Sequence, residues 1–281
     1  SVAEAMETFG TDDVSLWDEA DGFFYDVLVG PDGHSEPVRL RSLVGLLPLI
    51  AVAHAPDWIT RELPDFVARL RWLQRQRPDL TDALVTTRAE GQVVTSLAPL
   101  TAARAQALMT RLFDEGEFLG PHGIRSLSAA YRGGVTLDVA GVSMSVAYDP
   151  GESTTNLFGG NSNWRGPVWF PINVLLIHGL RGHARAAGGS AEVEYPTGSG
   201  RTRGLGEVAD DLEQRLVSLF RPGADGRRPG TPRDHPSGPL WDVHVTFAEY
   251  FDGDTGRGCG ASHQTGWTAL VAHLICARPL R

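Results

Sequence analysis

The stretch "GGNSNWRGPVWFP", from Gly159 to Pro171, places two tryptophans, an arginine and two asparagines directly before a predicted helix. Proline is common in the first turn of a helix and glycine after its end, so we expect a helix from Pro171 to Gly188. Buried polar groups are costly unless another group pairs with them. The loop before this helix therefore either folds back on itself or holds a polar ligand.

Helical patterns dominate the rest of the chain, and they predict a mainly α fold. We expect helices in residues 41–54, 64–77, 98–113, 171–187, 206–220 and from 264 onward, and β-hairpins in residues 22–40 and 135–150. Long loops rich in Gly, Pro and Asn join these elements. This combination favours a ring of helices whose loops form a pocket at one end.

Composition and charge exclude several classes of function. The chain has 281 residues, of which 42% are hydrophobic, as in a globular domain. A net charge of -9 argues against nucleic-acid binding, and there is no apolar run long enough to cross a membrane. Cys259 and Cys276 lack the spacing of a disulfide framework or a metal site. The sequence therefore predicts a cytoplasmic protein without a metal or cofactor.

The residues of the opening loop have the chemistry of a sugar site. Trp164 and Trp169 offer flat apolar faces, and Arg165 offers a planar set of donors. Asn161 and Asn163 supply both donors and acceptors. A pyranose needs such a mixture, since it has an apolar face and a rim of hydroxyls. The alternative is a loop whose polar groups satisfy one another.

A second candidate stretch runs from Val245 to Ile275 and contains a carboxylate near aromatic residues. Glu249 follows an apolar segment and precedes a Gly-rich turn, after which His263 and Trp267 enter a helix. A carboxylate in such surroundings is a candidate general base. The alternative is an ordinary surface acid. We expect the opening loop to line the same cavity as Glu249.

Several stretches together resemble the catalytic domain of glycoside hydrolase family 63. The similarity extends from about Leu16 to Ile275, and the nearest branch is the bacterial one related to mannosylglycerate hydrolases and processing α-glucosidases. "NWRGPVW" and "GASHQTGWTALV" are the most specific stretches, and the others are "WDEADGFFYDVL", "RSLVGLLPLI", "PGESTTNLFGG", "YPTGSGR" and "FAEYFDGDTGRG".

The resemblance implies an (α/α)6 barrel that hydrolyses α-glycosidic bonds in small glycosides or oligosaccharides with inversion. Such chemistry uses two carboxyl groups on opposite faces of the sugar. The general base of the family corresponds to Glu249 of "FAEYF". The carbohydrate would contact residues of both stretches, namely Asn163, Trp164, Arg165, Trp169, Tyr250, His263 and Trp267.

The general acid is where this sequence departs from the family. The acid of the family is an aspartate in a "GLDN"-like motif that this sequence lacks, and we expect it upstream of Ser1. Residues 1–281 are accordingly predicted to be the C-terminal half of one barrel domain, truncated at its N-terminus. Its partner would be the missing half or a second copy. Candidate substitute acids, each more typical of a structural or solvated role, are Asp18, Asp21, Asp26 and Glu152.

A second function stays open at this point. A chain without the acid could be a catalytically inactive remnant that binds carbohydrate or serves as structure. A half-barrel would also leave apolar helix faces uncovered, which favours association.

Overall fold

The computed structural model describes most of the chain. The described residues are 5–6, 14–55, 57–78, 81, 84–89, 92–139, 141–155, 162–232, 235 and 238–276. The predicted contribution of Asn161 lies outside these residues.

Helices predominate among the described elements. In chain order they are α1 (Asp57–Glu62), α2 (Pro64–Gln76), α3 (Ala102–Leu112), α4 (Phe170–Ala186), α5 (Leu205–Ser218), α6 (Pro239–Val243), α7 (Thr265–Thr268) and α8 (Leu270–Cys276). Helix α4 begins at the predicted position, with Pro171 in its first turn. Helix α3 begins at Thr101, whose hydroxyl accepts a hydrogen bond from the Arg104 amide and so caps the helix.

Two further segments form 3-10 helices, Leu43–Ile50 and Ala129–Gly133. The first corresponds to the predicted helix of residues 41–54, which is therefore shorter than expected and is not α-helical. Pro48 lies inside it and cannot donate the backbone hydrogen bond of a continuing α-helix. After Ile50 the chain becomes extended.

The strands are short and antiparallel, as in the predicted hairpins. They are β1 (Trp17–Asp18), β2 (Phe23–Phe24), β3 (Asp26–Val29), β4 (Ser35–Val38), β5 (Ala53–Ala55), β6 (Leu84–Ala89), β7 (Gln92–Leu97), β8 (Leu119–Gly120), β9 (Gly123–Ile124), β10 (Val135–Val139), β11 (Val142–Val146), β12 (Glu192–Glu194), β13 (Thr202–Gly204), β14 (Tyr250–Phe251) and β15 (Gly258–Cys259). Consecutive strands pair, apart from a three-stranded sheet in the order β5-β7-β6. The hairpins β3–β4 and β10–β11 confirm the two predicted from sequence.

The core lies between helices α4 and α5, which pack against each other. The apolar stripe of α5 is fully buried, with Val208, Leu212 and Leu216 each at most 1% exposed. Helix α4 also packs on the Leu43–Ile50 helix, where Gly179 permits close approach, since a Cβ there would lie 2.5 Å from the Leu49 carbonyl oxygen. This core supports the loop that precedes α4.

Two of the predicted helices leave apolar residues exposed. Helix α2 has no buried residue, and Phe66 and Trp72 are 51% and 55% exposed. The predicted last helix is divided into α7 and α8 by a turn at Ala269, so that Val271 and Leu274 are buried whereas Ile275 is exposed. The local pattern therefore predicted these helices, but it did not predict which of their apolar side chains are buried by packing.

The structure confirms a mainly α fold with small β-hairpins, whereas the (α/α)6 barrel stays a prediction. Within the described ranges, no helix combines the length and the apolar composition that crossing a membrane requires.

Candidate functional site

The loop before helix α4 is organised by the Asn163 side chain, which is completely buried. Its amide group donates to the Asp149 and Gly151 carbonyls at 2.7 and 2.8 Å, and its carbonyl oxygen accepts from the Arg165 amide at 2.9 Å. In the structure these hydrogen bonds go to the backbone of the loop, and contact of Asn163 with a sugar stays a prediction.

Arg165 is also buried, and it forms an ion pair within the loop. Its Nη2 group donates to Asp149 Oδ2 at 3.0 Å and to Thr154 Oγ1 at 3.3 Å. A buried charge needs such a partner, and Asp149 balances this one. Contact of Arg165 with a sugar stays a prediction.

A stack of aromatic rings lies beside this loop. Trp164 and Trp169 are parallel, with ring centroids 3.9 Å apart, and Trp169 also stacks on Tyr250 at 4.8 Å. Trp267 lies against Trp169 at a tilt, with centroids 5.4 Å apart. Trp169 is only 1% exposed, and its contact with a sugar stays a prediction. Trp164 is half-buried and Trp267 is 38% exposed, so a ligand can reach either of these two rings.

Glu249 lies next to the same loop, although the two stretches are far apart in sequence. Val168 and Phe251 form an antiparallel bridge that joins the stretches, with mutual backbone hydrogen bonds of 2.7 and 3.0 Å. Glu249 Oε1 accepts from the Ser162 hydroxyl at 3.1 Å, and Oε2 accepts from the Ala261 amide at 2.9 Å. These neutral donors fix the half-exposed carboxylate without neutralising its charge. A carboxylate held in this way can accept a proton from water.

A second carboxylate, Glu152, is held by the same turn. The amide of Gly260 donates to Glu152 Oε1 at 3.1 Å, while the next amide, of Ala261, donates to Glu249. The Tyr250 hydroxyl also donates to Glu152, at 3.1 Å. Burial, and then the negative charge of Glu152, raise the pKa of Tyr250 above its usual range, so this hydroxyl remains a donor at neutral pH.

Gly260 offers a direct test of this arrangement. Its φ of +69° lies in the left-handed region, and a Cβ would lie 2.6 Å from Tyr250 Cε1 and 2.7 Å from Glu249 Oε2. We expect Gly260→Ala to lower the free energy of unfolding by about 2–3 kcal/mol, measured by urea denaturation, and to displace Glu249.

The matched control is Gly200→Ala, since Gly200 has a φ of +68° and no heavy atom within 4 Å of the added Cβ. In this control the added methyl group causes only the backbone strain of a positive φ, which costs about 1–2 kcal/mol. Equal losses for both variants would show that Gly260 is required for its conformation alone.

A cavity of about 490 Å³ opens on the other flank of the loop. Trp164 and Arg165 contribute to its wall together with Ile172 of helix α4. Its remaining lining residues are mostly apolar, and they are Asp26, Val38, Leu40, Ser42, Leu43, Val44, Leu47, Ser126 and Leu127. Glu249 is not among the described lining residues, and the shared cavity stays a prediction. Glu249 instead contacts Ser162, two residues before Trp164.

The candidate substitute acids differ in their surroundings. Asp18 forms an ion pair with Arg39 and accepts from the Ala20 and Asp21 amides. Asp21 forms ion pairs with Arg41 and Arg111. Both of these carboxylates serve local structure. Asp26, in contrast, lines the cavity, and within the described residues it has neither an ion pair nor a side-chain hydrogen bond.

The remaining predicted site residue, His263, is exposed at the edge of the site. Its ring lies 5.5 Å from that of Phe247, and its Nδ1 accepts from the Phe247 amide at 3.4 Å. The sequence also gave no reason to select Ser162, which contacts Glu249. Its position within "NSNWRGPVW" was the available signal.

The structure also bears on metal and thiol chemistry. No group of three or more His, Cys, Asp or Glu side chains suited to a metal occurs in the described part of the chain. The two cysteines are unpaired, and Cys259 is buried, which raises the pKa of its thiol to about 12. A thiol with so high a pKa is a poor nucleophile at neutral pH.

Comparison of the sequence with known proteins shows the family to which the chain belongs. The model of the mannosylglycerate hydrolase MGH1-like glycoside hydrolase domain matches residues 80–268, which include the opening loop and Glu249. An uncharacterized protein of Saccharomyces cerevisiae, YMR196W, is 43% identical over 268 residues, covering 93% of this chain and 24% of the yeast protein. A probable mannosyl-oligosaccharide glucosidase of Schizosaccharomyces pombe is 25% identical over 182 residues, covering 64% of this chain and 16% of that protein.

The chain thus spans about a quarter or less of the curated relatives that it matches. The family match covers well over half of the chain and agrees with the resemblance seen in "NWRGPVW" and "GASHQTGWTALV". The chain therefore belongs to the MGH1-like glycoside hydrolase family, which is related to glycoside hydrolase family 63.

Proposed function

We propose that this chain forms part of the active site of an α-glycosidase that acts on small glycosides or oligosaccharides with inversion. The observation that carries the proposal is the Glu249 carboxylate, which is half-exposed beside the Trp164–Trp169 stack and held by two neutral donors. Membership in a glycoside hydrolase family supports hydrolysis of a glycosidic bond.

In this proposal Glu249 is the general base. An inverting enzyme must remove a proton from a water molecule that attacks the anomeric carbon, and its base must be ionised and within about 3 Å of that water. Each Glu249 oxygen accepts one protein hydrogen bond and keeps a further lone pair for water. Ser162 and the Ala261 amide orient the carboxylate without competing as bases.

The general acid would come from a segment upstream of these residues. An inverting pair of carboxyl groups is separated by about 6.5–9.5 Å, which leaves room for the water. Glu152 shares a turn with Glu249, and it accepts hydrogen bonds from Tyr250 and Gly260, so we assign it to holding this turn. Both relatives are several times longer than this chain, which supports a further segment that completes the site.

The same segment, or a second copy of the chain, would complete an (α/α)6 barrel. Exposed aromatic side chains on helices α1 and α2 support such an association, since Trp58, Phe66 and Trp72 are each about half exposed. A cytoplasmic location belongs to the same proposal and is supported by the unpaired cysteines.

Trp164 should provide the stacking surface for the sugar. We expect Trp164→Ala to weaken substrate binding about 10-fold, the scale of one aromatic contact, because Trp164 is half-buried, stacks on Trp169 and lines the cavity. Calorimetric titration in a Glu249→Gln background would measure binding without turnover.

Val142→Ala is the control for this variant, because Val142 is an apolar residue that is 58% exposed on strand β11, outside the loop and the cavity lining. An equal or smaller effect of Trp164→Ala than of Val142→Ala would remove Trp164 from the proposed binding surface.

The alternative function is a catalytically inactive carbohydrate-binding or structural remnant. It is favoured by the side chains of Asn163 and Arg165, which form their hydrogen bonds with groups of the loop itself. Hydrolysis of a panel of aryl and natural α-glycosides by the full-length protein that contains this chain separates the two functions. Turnover supports the enzyme, and its absence with retained sugar binding supports the remnant.

A further inference from the structure

Asp26 occupies a position that no structural role explains. It begins strand β3, where its backbone pairs with Val38 of β4, and it lines the cavity beside the opening loop. No described residue donates a hydrogen bond or an ion pair to its carboxyl group. Most of the neighbouring lining is apolar, with Leu40, Leu43 and Leu127 among its members. Asp26 is itself exposed, so water reaches its carboxyl group and a ligand can replace that water.

Asp26 is the charged residue of the described cavity lining that has no oppositely charged partner. Arg165 is the other charged residue in the described lining, and its positive charge is balanced by Asp149 at 3.0 Å. The surrounding protein partly desolvates this exposed carboxyl group, which raises the pKa of Asp26 above its usual value. An exposed carboxyl group without a partner among the described residues is open to accept hydrogen bonds from a ligand.

The cavity lining also supplies what a pyranose needs on its apolar side. Trp164 and Ile172 both contribute to this lining. The hydroxyls of Ser42 and Ser126 also border the cavity. A cavity of about 490 Å³ lies within the range of small-molecule sites and is large enough for one sugar unit.

We propose that Asp26 is a specificity-determining residue that accepts hydrogen bonds from hydroxyls of a neutral sugar unit stacked on Trp164. This inference rests on the proposed glycosidase function and adds to it the group that reads the hydroxyl pattern. A site built to bind a hydroxyl rejects an analogue that lacks it, because the polar group of the site is then left unpaired.

The test is a comparison of deoxy analogues in the full-length protein that contains this chain. After a panel of α-glycosides has identified a substrate, its singly deoxygenated analogues are assayed with the wild type, Asp26→Ala and Asp26→Asn. We expect at least one analogue to lose about 10- to 100-fold in kcat/KM with the wild type, the scale of a hydrogen bond to a charged group. Asp26→Ala should reduce this discrimination to less than about 3-fold, with Asp26→Asn in between.

Stability provides a second readout, because a purely structural aspartate would behave in the opposite way. Removal of an unpartnered carboxyl group should leave the thermal midpoint of Asp26→Ala equal to or above that of the wild type. Asp138→Asn is the matched control, since Asp138 is an exposed strand residue outside the cavity lining, and it should leave discrimination unchanged.

The outcomes separate this inference from the function on which it rests. Hydrolysis with unchanged discrimination in Asp26→Ala would overturn the role of Asp26 and leave the glycosidase intact. A lowered thermal midpoint with an equal loss toward substrate and analogues would assign Asp26 to structure. Absence of turnover in the wild type on the whole panel would overturn the proposed function, and the inference with it.

Discussion

Glu249→Gln should lower kcat about 100-fold or more in the full-length protein that contains this chain. Glutamine is nearly isosteric and can still accept from Ser162 or from the Ala261 amide, but it cannot take a proton from water. The fold and most of the substrate binding should therefore be retained. Steady-state kinetics on an α-glycoside substrate would show the loss in kcat with KM changed by less than about 3-fold.

Glu62→Gln is the control for this variant, because Glu62 is an exposed residue at the end of helix α1. It changes the net charge by the same amount and should leave kcat unchanged. If Glu249→Gln kept more than about a tenth of wild-type kcat, Glu249 would be a binding group, and the base would have to be sought elsewhere in the protein.

Asn163→Ala should be the most destabilising single change in the opening loop. It removes three buried hydrogen bonds and leaves the Asp149 and Gly151 carbonyls and the Arg165 amide without this partner. Because buried unsatisfied groups cost about 1–3 kcal/mol each and neighbouring effects overlap, we expect a loss of about 3–4 kcal/mol in the free energy of unfolding. Urea denaturation followed by tryptophan fluorescence would measure it.

Ser190→Ala provides a matched comparison, since Ser190 also donates a side-chain hydrogen bond to a backbone carbonyl, that of Ala187 at 2.7 Å, but in an exposed position. We expect it to change the free energy of unfolding by less than about 0.5 kcal/mol. Similar small effects of both variants would mean that the loop does not depend on Asn163, and that this amide is free to bind a sugar as the sequence predicts.

Local patterns in the sequence were sufficient for most of the secondary structure. Pro171 and the glycines at 188 and 189 bracket helix α4, and the apolar stripe of α5 is buried as its 3.6-residue period predicts. The turn "GPDG" gave the β3–β4 hairpin. These features depend on neighbouring residues, so they can be predicted from short segments. The family was visible for the same reason, because its most specific stretches are contiguous.

Only the tertiary structure shows which of the site residues stabilise the loop and which line the cavity. Asn163 and Trp164 are adjacent and equally suited to a sugar by composition, yet Asn163 is buried in hydrogen bonds of the loop while Trp164 faces a cavity. The sequence could not show this, because the carbonyls that bind Asn163 belong to residues 149 and 151 and the cavity is completed by strands near residue 40.

Long-range contacts likewise decided which carboxylates are near one another. Glu152 and Glu249 are almost 100 positions apart, and they meet because consecutive amides, of Gly260 and Ala261, donate to them. Asp18, Asp21 and Asp26 were indistinguishable candidates in the sequence, and only packing shows that the first two are paired with arginines. The sequence by itself thus determined the helices, the hairpins and the family, whereas the folded chain decided which polar side chains are satisfied internally and which are free, because that depends on neighbours that only folding brings together.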